Sequence, residues 1–398
     1  MMTYHETRAL AQSDLQQLYA ALETTEFGAY FATPADDTLR FGIGAIATAK
    51  TAQALQGAVV FGAQSFDEQE YPQSELMAGF WFVPEVMVTI AADKITFGSD
   101  TVSDFTTWLA QFVPKQPNTV TTSHVTDEVD WIERTENLID TLAIDQTLAK
   151  VVFGRQQTLQ LSDTLRLAQI IRALAEQANT YHVVLKRHDE LFISATPERL
   201  VAMSGGQIAT AAVAGTSRRG TDGADDIALG EALLASQKNR IEHQYVVASI
   251  TTRLQDVTTS LKVPAMPSLL KNKQVQHLYT PITGDIAAHL SVTAIVDRLH
   301  PTPALGGVPR EAALHYIATH EKTPRGLFAG PIGYFTADHS GEFVVGIRAM
   351  YVNQTQRRAT LFAGAGIVAD SDAQQEYEET GLKFEPMRQL LKDYNHVE

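Results

Sequence analysis

Three groups of residue types in this chain are spaced to do chemistry together. The first is rich in carboxylates: Glu376, Glu379 and Lys383 follow i, i+3, i+7 spacing and share one helix face. The ordinary reading of Glu379 and Lys383 is a surface ion pair in the favoured order. Lys238 and Glu242 repeat the i, i+4 spacing in the less favourable order, with Asn239 and His243 beside them. The second group is cationic. Lys150 heads the apolar run Val151-Val152-Phe153-Gly154-Arg155, a place where a lysine is most often a solvated strand end. Arg348, in Gly346-Ile347-Arg348, has apolar surroundings in which an unpaired charge is costly, so it needs an anionic partner. The third group is backbone freed by glycine. In Ala214-Gly215-Thr216 the glycine lets N–H groups approach an anion closely, and Thr216 adds a hydroxyl donor. Gly364-Ala365-Gly366 lacks the remaining glycine and the helix of a nucleotide fingerprint, so close backbone approach to a ligand is preferred. Glu198 follows Pro197 and by itself reads as a turn carboxylate beside Arg199. Between these groups lies His300-Pro301-Thr302-Pro303-Ala304-Leu305-Gly306-Gly307. Its prolines fix φ and its glycines permit positive φ, which makes a rigid loop that holds Ala304 and Leu305 in place.

Hydrophobic spacing gives the elements that must position these residues. A helix is expected over Ser13 to Thr24, and short strands over 41–44, 58–62, 80–83 and 86–91. Asp127 to Ala149 has the apolar stripe of a helix, and a strand begins at Lys150. Leu161 to Gln177 reads as an amphipathic helix, Tyr181 to Lys186 with Leu191 to Ser194 as a hairpin, and Leu200 to Ser204 and Ile208 to Ala214 as strands. Glu231 to Gln255 reads as one long helix, and Val275 to Thr280 and Gly284 to His289 as two strands. A three-strand run follows over Leu327 to Phe335, Glu342 to Val352 and Ala359 to Ile367, and Asp372 to Asp393 is a terminal helix. No linker rich in proline, serine or glycine divides the chain, and no repeat is found. Residues 1–130 form a β-rich part and 131–398 the region that carries the candidate site, within one unit. The fold class is α/β (α+β): mostly antiparallel β-sheets packed in a sandwich, with helices on the outside.

Composition narrows the chemistry. The chain has 398 residues and no cysteine, which excludes disulfides, thiolate metal sites and a cysteine nucleophile. A formal net charge of −15 argues against nucleic acid, whose phosphates need concentrated lysine and arginine. The polar start, Met1 to Leu10, has no signal-peptide core, and no apolar run is long enough to span a membrane. A cytoplasmic protein is expected, and its oligomeric state is not readable.

His-Pro-Thr-Pro-Ala-Leu-x-Gly resembles the active-site loop of the isochorismate synthases, within the chorismate-utilising enzymes. Further blocks similar to that family follow in order from Lys150 to Lys383, and before Lys150 the resemblance is looser. It implies a reversible, Mg2+-dependent conversion of chorismate to isochorismate, feeding menaquinone or siderophore synthesis. Lys150, in a Lys-Val-Val-x-x-Arg block, would be the general base that activates water, which needs a deprotonated amine. Glu198, in a Ser-x-Thr-Pro-Glu-x-Leu block, would be the general acid, kept protonated by apolar burial. Glu242 and Glu379 would bind Mg2+, with Glu376, Asn239 and His243 behind them. Gly215, Thr216, Ala304, Leu305, Tyr334, Arg348, Gly364 and Lys383 would contact chorismate, a dianion that the net charge repels at long range. Asn239 departs from the acidic residue of some relatives, and Gly381 interrupts the terminal helix without a functional explanation. The alternatives are a salicylate synthase, or a chorismate-binding sensor without catalysis.

Overall fold

The computed structural model describes residues 2–34, 38–67, 71–145, 147–286 and 290–396. Among them two sheets form, of twelve and ten strands, and the pairings along both are antiparallel. The larger sheet runs through Phe27–Ala32, Tyr181–Arg187, Glu190–Thr196, Ala349–Asn353, Arg358–Ile367 and Lys150–Leu161, ending on the two-residue strand Gly307–Val308. The smaller runs through Val275–Ile286, Gln207–Arg218, Arg199–Ser204, Gly341–Val345, Pro331–Thr336 and Val59–Ala63. Each sheet draws strands from both sides of residue 130.

Alternation along the strands sorts side chains into two cores. Val183, Leu185 and Phe192 join a core shared by both sheets, with Val201, Phe343 and Val345 from the smaller one. Val184, Leu191 and Ile193 point the other way, to a layer of helices that includes Gln12–Thr24, Leu167–Ala175 and Ala373–Asp393. The sandwich with outer helices is therefore the observed architecture. None of its helices, among the described residues, is long and apolar enough to cross a membrane.

Several elements differ from the sequence reading, among them the following five. The stretch Asp127 to Ala149 contributes a helix only over Trp131–Ile144, because Thr122–Asp127 pairs as a strand with Lys150–Leu161. Leu161 still belongs to that strand, so the next helix begins at Leu167. The long helix breaks at Ser236 into Gly223–Ala235 and Gln237–Leu254. Ser236 is extended (φ −64°, ψ 113°), and its side chain caps the second helix through the Asn239 N–H. The two strands placed over 275–280 and 284–289 are one, Val275–Ile286, and residues 287–289 lie outside the described ones. Glu342 to Val352 is two strands in different sheets, separated at Gly346-Ile347-Arg348.

That separation has a twin. Glu190–Thr196 belongs to the larger sheet and Arg199–Ser204 to the smaller, so the chain also changes sheets at Pro197-Glu198. The two crossings are tied together: Val345 N donates to Glu198 O at 3.0 Å, and Ala195 N donates to Arg348 O at 3.1 Å. Pro197 has no N–H for a ladder, and Arg348 holds a left-handed φ of +48°, so neither strand can continue there.

Candidate active site

Lys150 opens its strand opposite Val308, and the proline-glycine loop is laced to it by backbone hydrogen bonds. Val152 N donates to Gly306 O, and Ala149 N to Val308 O, each at 2.8 Å. Position 307 must be glycine: its φ is +145°, and a Cβ there would lie 2.1 Å from the Lys150 carbonyl. On the other side of the loop, buried Arg325 donates to the Leu305 carbonyl at 2.8 Å and the Val152 carbonyl at 2.6 Å. Ala304 and Leu305 are thus fixed relative to Lys150 from two directions.

Thirteen of the fifteen residues singled out in the sequence line one cavity of about 270 Å³. Lys150 Nζ meets Glu242 Oε1 at 2.7 Å, a pair that joins a strand to a helix 92 residues away. Glu242 therefore turns inward to Lys150 and does not take up the surface pairing with Lys238 that its spacing allows. Gly366 makes room for this contact, since a Cβ there would lie 2.7 Å from Lys150 Cε. Glu379 does make the expected pair with Lys383, at 2.6 Å, while facing the cavity. The Lys383 ammonium also donates to the Gly364 carbonyl at 2.7 Å.

The sheet crossings supply the other wall. Glu198 is buried, and desolvation pushes its carboxyl up to about 7, with Arg348 offsetting part of the effect. Burial lowers the Arg348 guanidinium to about 10, against the favourable charges of Glu379 and Glu198. Burial acts to raise the Glu379 carboxyl, but Lys383 and Arg348 outweigh it and hold the group below the ordinary range. Glu376 moves the other way, raised by burial and by the charge of Glu379, with a Ser371 hydroxyl donating at 3.0 Å.

Gly215 sits at a bulge with φ +76°, against the Asn239 side chain, and next to it Thr216 Oγ1 contacts His277 Nδ1 at 3.1 Å. His277 was missed from sequence because a single histidine in a strand carries no pattern. It lines the cavity, and burial together with Arg348 and Lys383 pushes its imidazole down to about 3, so it is neutral. Lys238, Arg325 and Phe328 also reach the cavity without having been expected there.

Two expectations are corrected. His243 follows Glu242 on the helix, is turned about 100° away from it, and is buried with Nε2 2.8 Å from Thr280 Oγ1. Tyr334 packs between the sheets on Phe31 and Phe61, with Arg40 over its ring at 5.0 Å, and lines a separate cavity. Neither side chain reaches the candidate site.

Among the described residues, no cluster of three or more histidine or carboxylate side chains forms a preassembled metal cage. Mg2+ needs less than that, because it keeps waters and takes one or two carboxylates together with oxygens of its substrate. Glu242, Glu376 and Glu379 line the same cavity, two of them paired with lysine nitrogens at 2.7 and 2.6 Å and the third raised by burial and by its neighbour's charge. This set of hard oxygen donors fits a divalent cation.

The fold and this cavity define a chorismate-binding enzyme: residues 28–392 match the sequence model of that family, described as "Chorismate binding enzyme", and the chain belongs to it. Its similarities within the family run to isochorismate synthases. It is 34% identical over 355 residues to isochorismate synthase MenF of Bacillus subtilis (strain 168), covering 84% of this chain and 75% of that one. It is 41% identical over 242 residues to the salicylate biosynthesis isochorismate synthase of Pseudomonas aeruginosa, covering 61% of this chain and 50% of the relative. The solved structure of MenF, the menaquinone-specific isochorismate synthase from Escherichia coli, superposes with a TM-score of 0.83 at 26% identity, covering 97% of this chain and 94% of that one.

Proposed function

We propose that this chain is an isochorismate synthase, converting chorismate reversibly to isochorismate for menaquinone synthesis. The observation that carries the reading is a lysine and a carboxyl that burial pushes up to about 7, on the walls of one cavity, each held by backbone hydrogen bonds. Lys150, as the neutral amine, takes a proton from the water that attacks ring C2. Glu198, which burial keeps partly protonated near neutral pH, gives its proton to the C4 hydroxyl as it leaves. Arg348 and Lys383 orient the substrate carboxylates, and the backbone at Gly215 and Gly364 leaves space for close approach. Mg2+, held by Glu242 and Glu379 with Glu376 behind them, would neutralise the ring carboxylate and polarise it. Neutral His277 and Thr216 add polar contacts without adding charge.

The test is product chromatography with chorismate and Mg2+. Lys150→Ala and Glu198→Gln are each expected to lose about 10²–10⁴-fold in turnover, or about 3–5 kcal/mol in barrier, while staying folded. Wild-type rates from either variant would remove the mechanism. Salicylate as the accumulating product would reassign the reaction.

A further inference from the structure

We propose that Arg155 is a positioning residue that sets the rotation of the terminal helix and through it the divalent-cation affinity of the cavity. This rests on Glu242 and Glu379 being the cation's ligands. Arg155 shares a strand with Lys150 but does not line the cavity, and the residue is 3% exposed. The reaction scheme gives it no part, yet nearly every atom of its fork is used. Nη1 donates to both oxygens of Asp127, at 2.7 and 2.8 Å. Nε donates to Thr380 Oγ1 at 2.8 Å, and Nη2 to the Tyr377 carbonyl at 3.1 Å. The plane lies over the Tyr377 ring at 3.8 Å, with Phe384 at 4.9 Å.

The residues it grips, Tyr377 and Thr380, alternate with Glu376, Glu379 and Lys383 on the same turns of Ala373–Asp393. Successive residues are about 100° apart around a helix, so fixing 377 and 380 fixes the direction in which 376, 379 and 383 project. Tyr377 closes the ring by donating its hydroxyl to Asp127 Oδ2 at 3.2 Å. A lysine ammonium cannot make three divergent planar contacts, so the geometry calls for arginine and not merely for positive charge. Groups that orient metal ligands commonly govern affinity as strongly as some ligands do.

The experiment measures Mg2+ binding by isothermal titration calorimetry, and the Mg2+ concentration for half-maximal turnover, in Arg155→Lys, Asp127→Asn, Arg388→Lys and Glu379→Ala. Arg155→Lys is expected to unfold cooperatively and to bind Mg2+ about 10–100-fold more weakly, with kcat largely recovered at saturating Mg2+. Asp127→Asn, which leaves Arg155 in place but removes the charge it grips, shifts affinity in the same direction and carries the test if Arg155→Lys does not fold. Arg388 holds Gln157 and Glu385 further along the helix, so Arg388→Lys changes stability without moving Mg2+ affinity. If Arg155→Lys and Asp127→Asn bind Mg2+ like the parent chain while Glu379→Ala does not, the proposal is overturned. If Glu379→Ala itself binds Mg2+ normally, the assignment of the ligands fails instead.

Discussion

The chemistry of this chain depends on single residues whose surroundings change what they do. Glu198 is the clearest case, because burial holds its carboxyl at about 7. Between the ordinary carboxylate range and that value, the folded chain keeps a proton that the unfolded chain has released. Its contribution to stability is therefore present in acid and is lost as the pH rises through about 7. Glutamine is neutral throughout. Glu198→Gln should gain stability relative to the parent between about pH 5 and about pH 8, measured by urea denaturation in metal-free buffer. A difference that stays constant with pH would show that Glu198 is ionised in the folded chain. At this scale the sequence was informative where motifs joined residue type to order. It misled where a residue's direction depends on packing: Tyr334 faces the gap between the sheets, and His243 lies around the helix from its useful neighbour. It was silent on His277, whose contact with Thr216 joins positions 61 residues apart.

Elements were legible in type and less so in their ends. Hydrophobic spacing located the terminal helix to within a residue, since its buried Phe384, Met387, Leu390 and Leu391 repeat at helical intervals. It could not see the break at Ser236, where a capping side chain starts a new helix inside a continuous helical pattern. Gly381 is resolved at this level too. A Cβ there would meet nothing within 4 Å, so the glycine answers no packing need. Gly381→Ala is expected to stabilise the chain by about 0.5–1 kcal/mol by reducing unfolded-state freedom, with turnover unchanged. A urea melt and a turnover assay check this, and a loss of stability would point to a backbone role that the helix does not reveal.

At the scale of the whole molecule, the change of texture near residue 130 is not a line along which the fold divides. Phe27–Ala32 pairs with Tyr181–Arg187, and Val59–Ala63 pairs with Pro331–Thr336. Residues 131–398 expressed alone would leave both partners with bare edges and part of each core uncovered. That fragment is expected to aggregate or melt without cooperativity, by size-exclusion chromatography and thermal denaturation, and co-expression with 1–130 to restore it. A soluble, cooperatively melting fragment would make the second part a domain in its own right. Such interleaving was beyond the sequence, because periodicity shows which face of a strand is buried but not which distant strand lies beside it. The twin crossings at 197–198 and 346–348 carry a mechanical meaning as well. They are stitches through the seam between two stiff plates, and Glu198 and Arg348, the proposed proton donor and anion-gripping arginine, are the stitches themselves. Shear of one plate against the other would have to pass through the backbone at these two points. The register of the two sheets, held by these backbone bonds, therefore sets where the two side chains stand relative to one another.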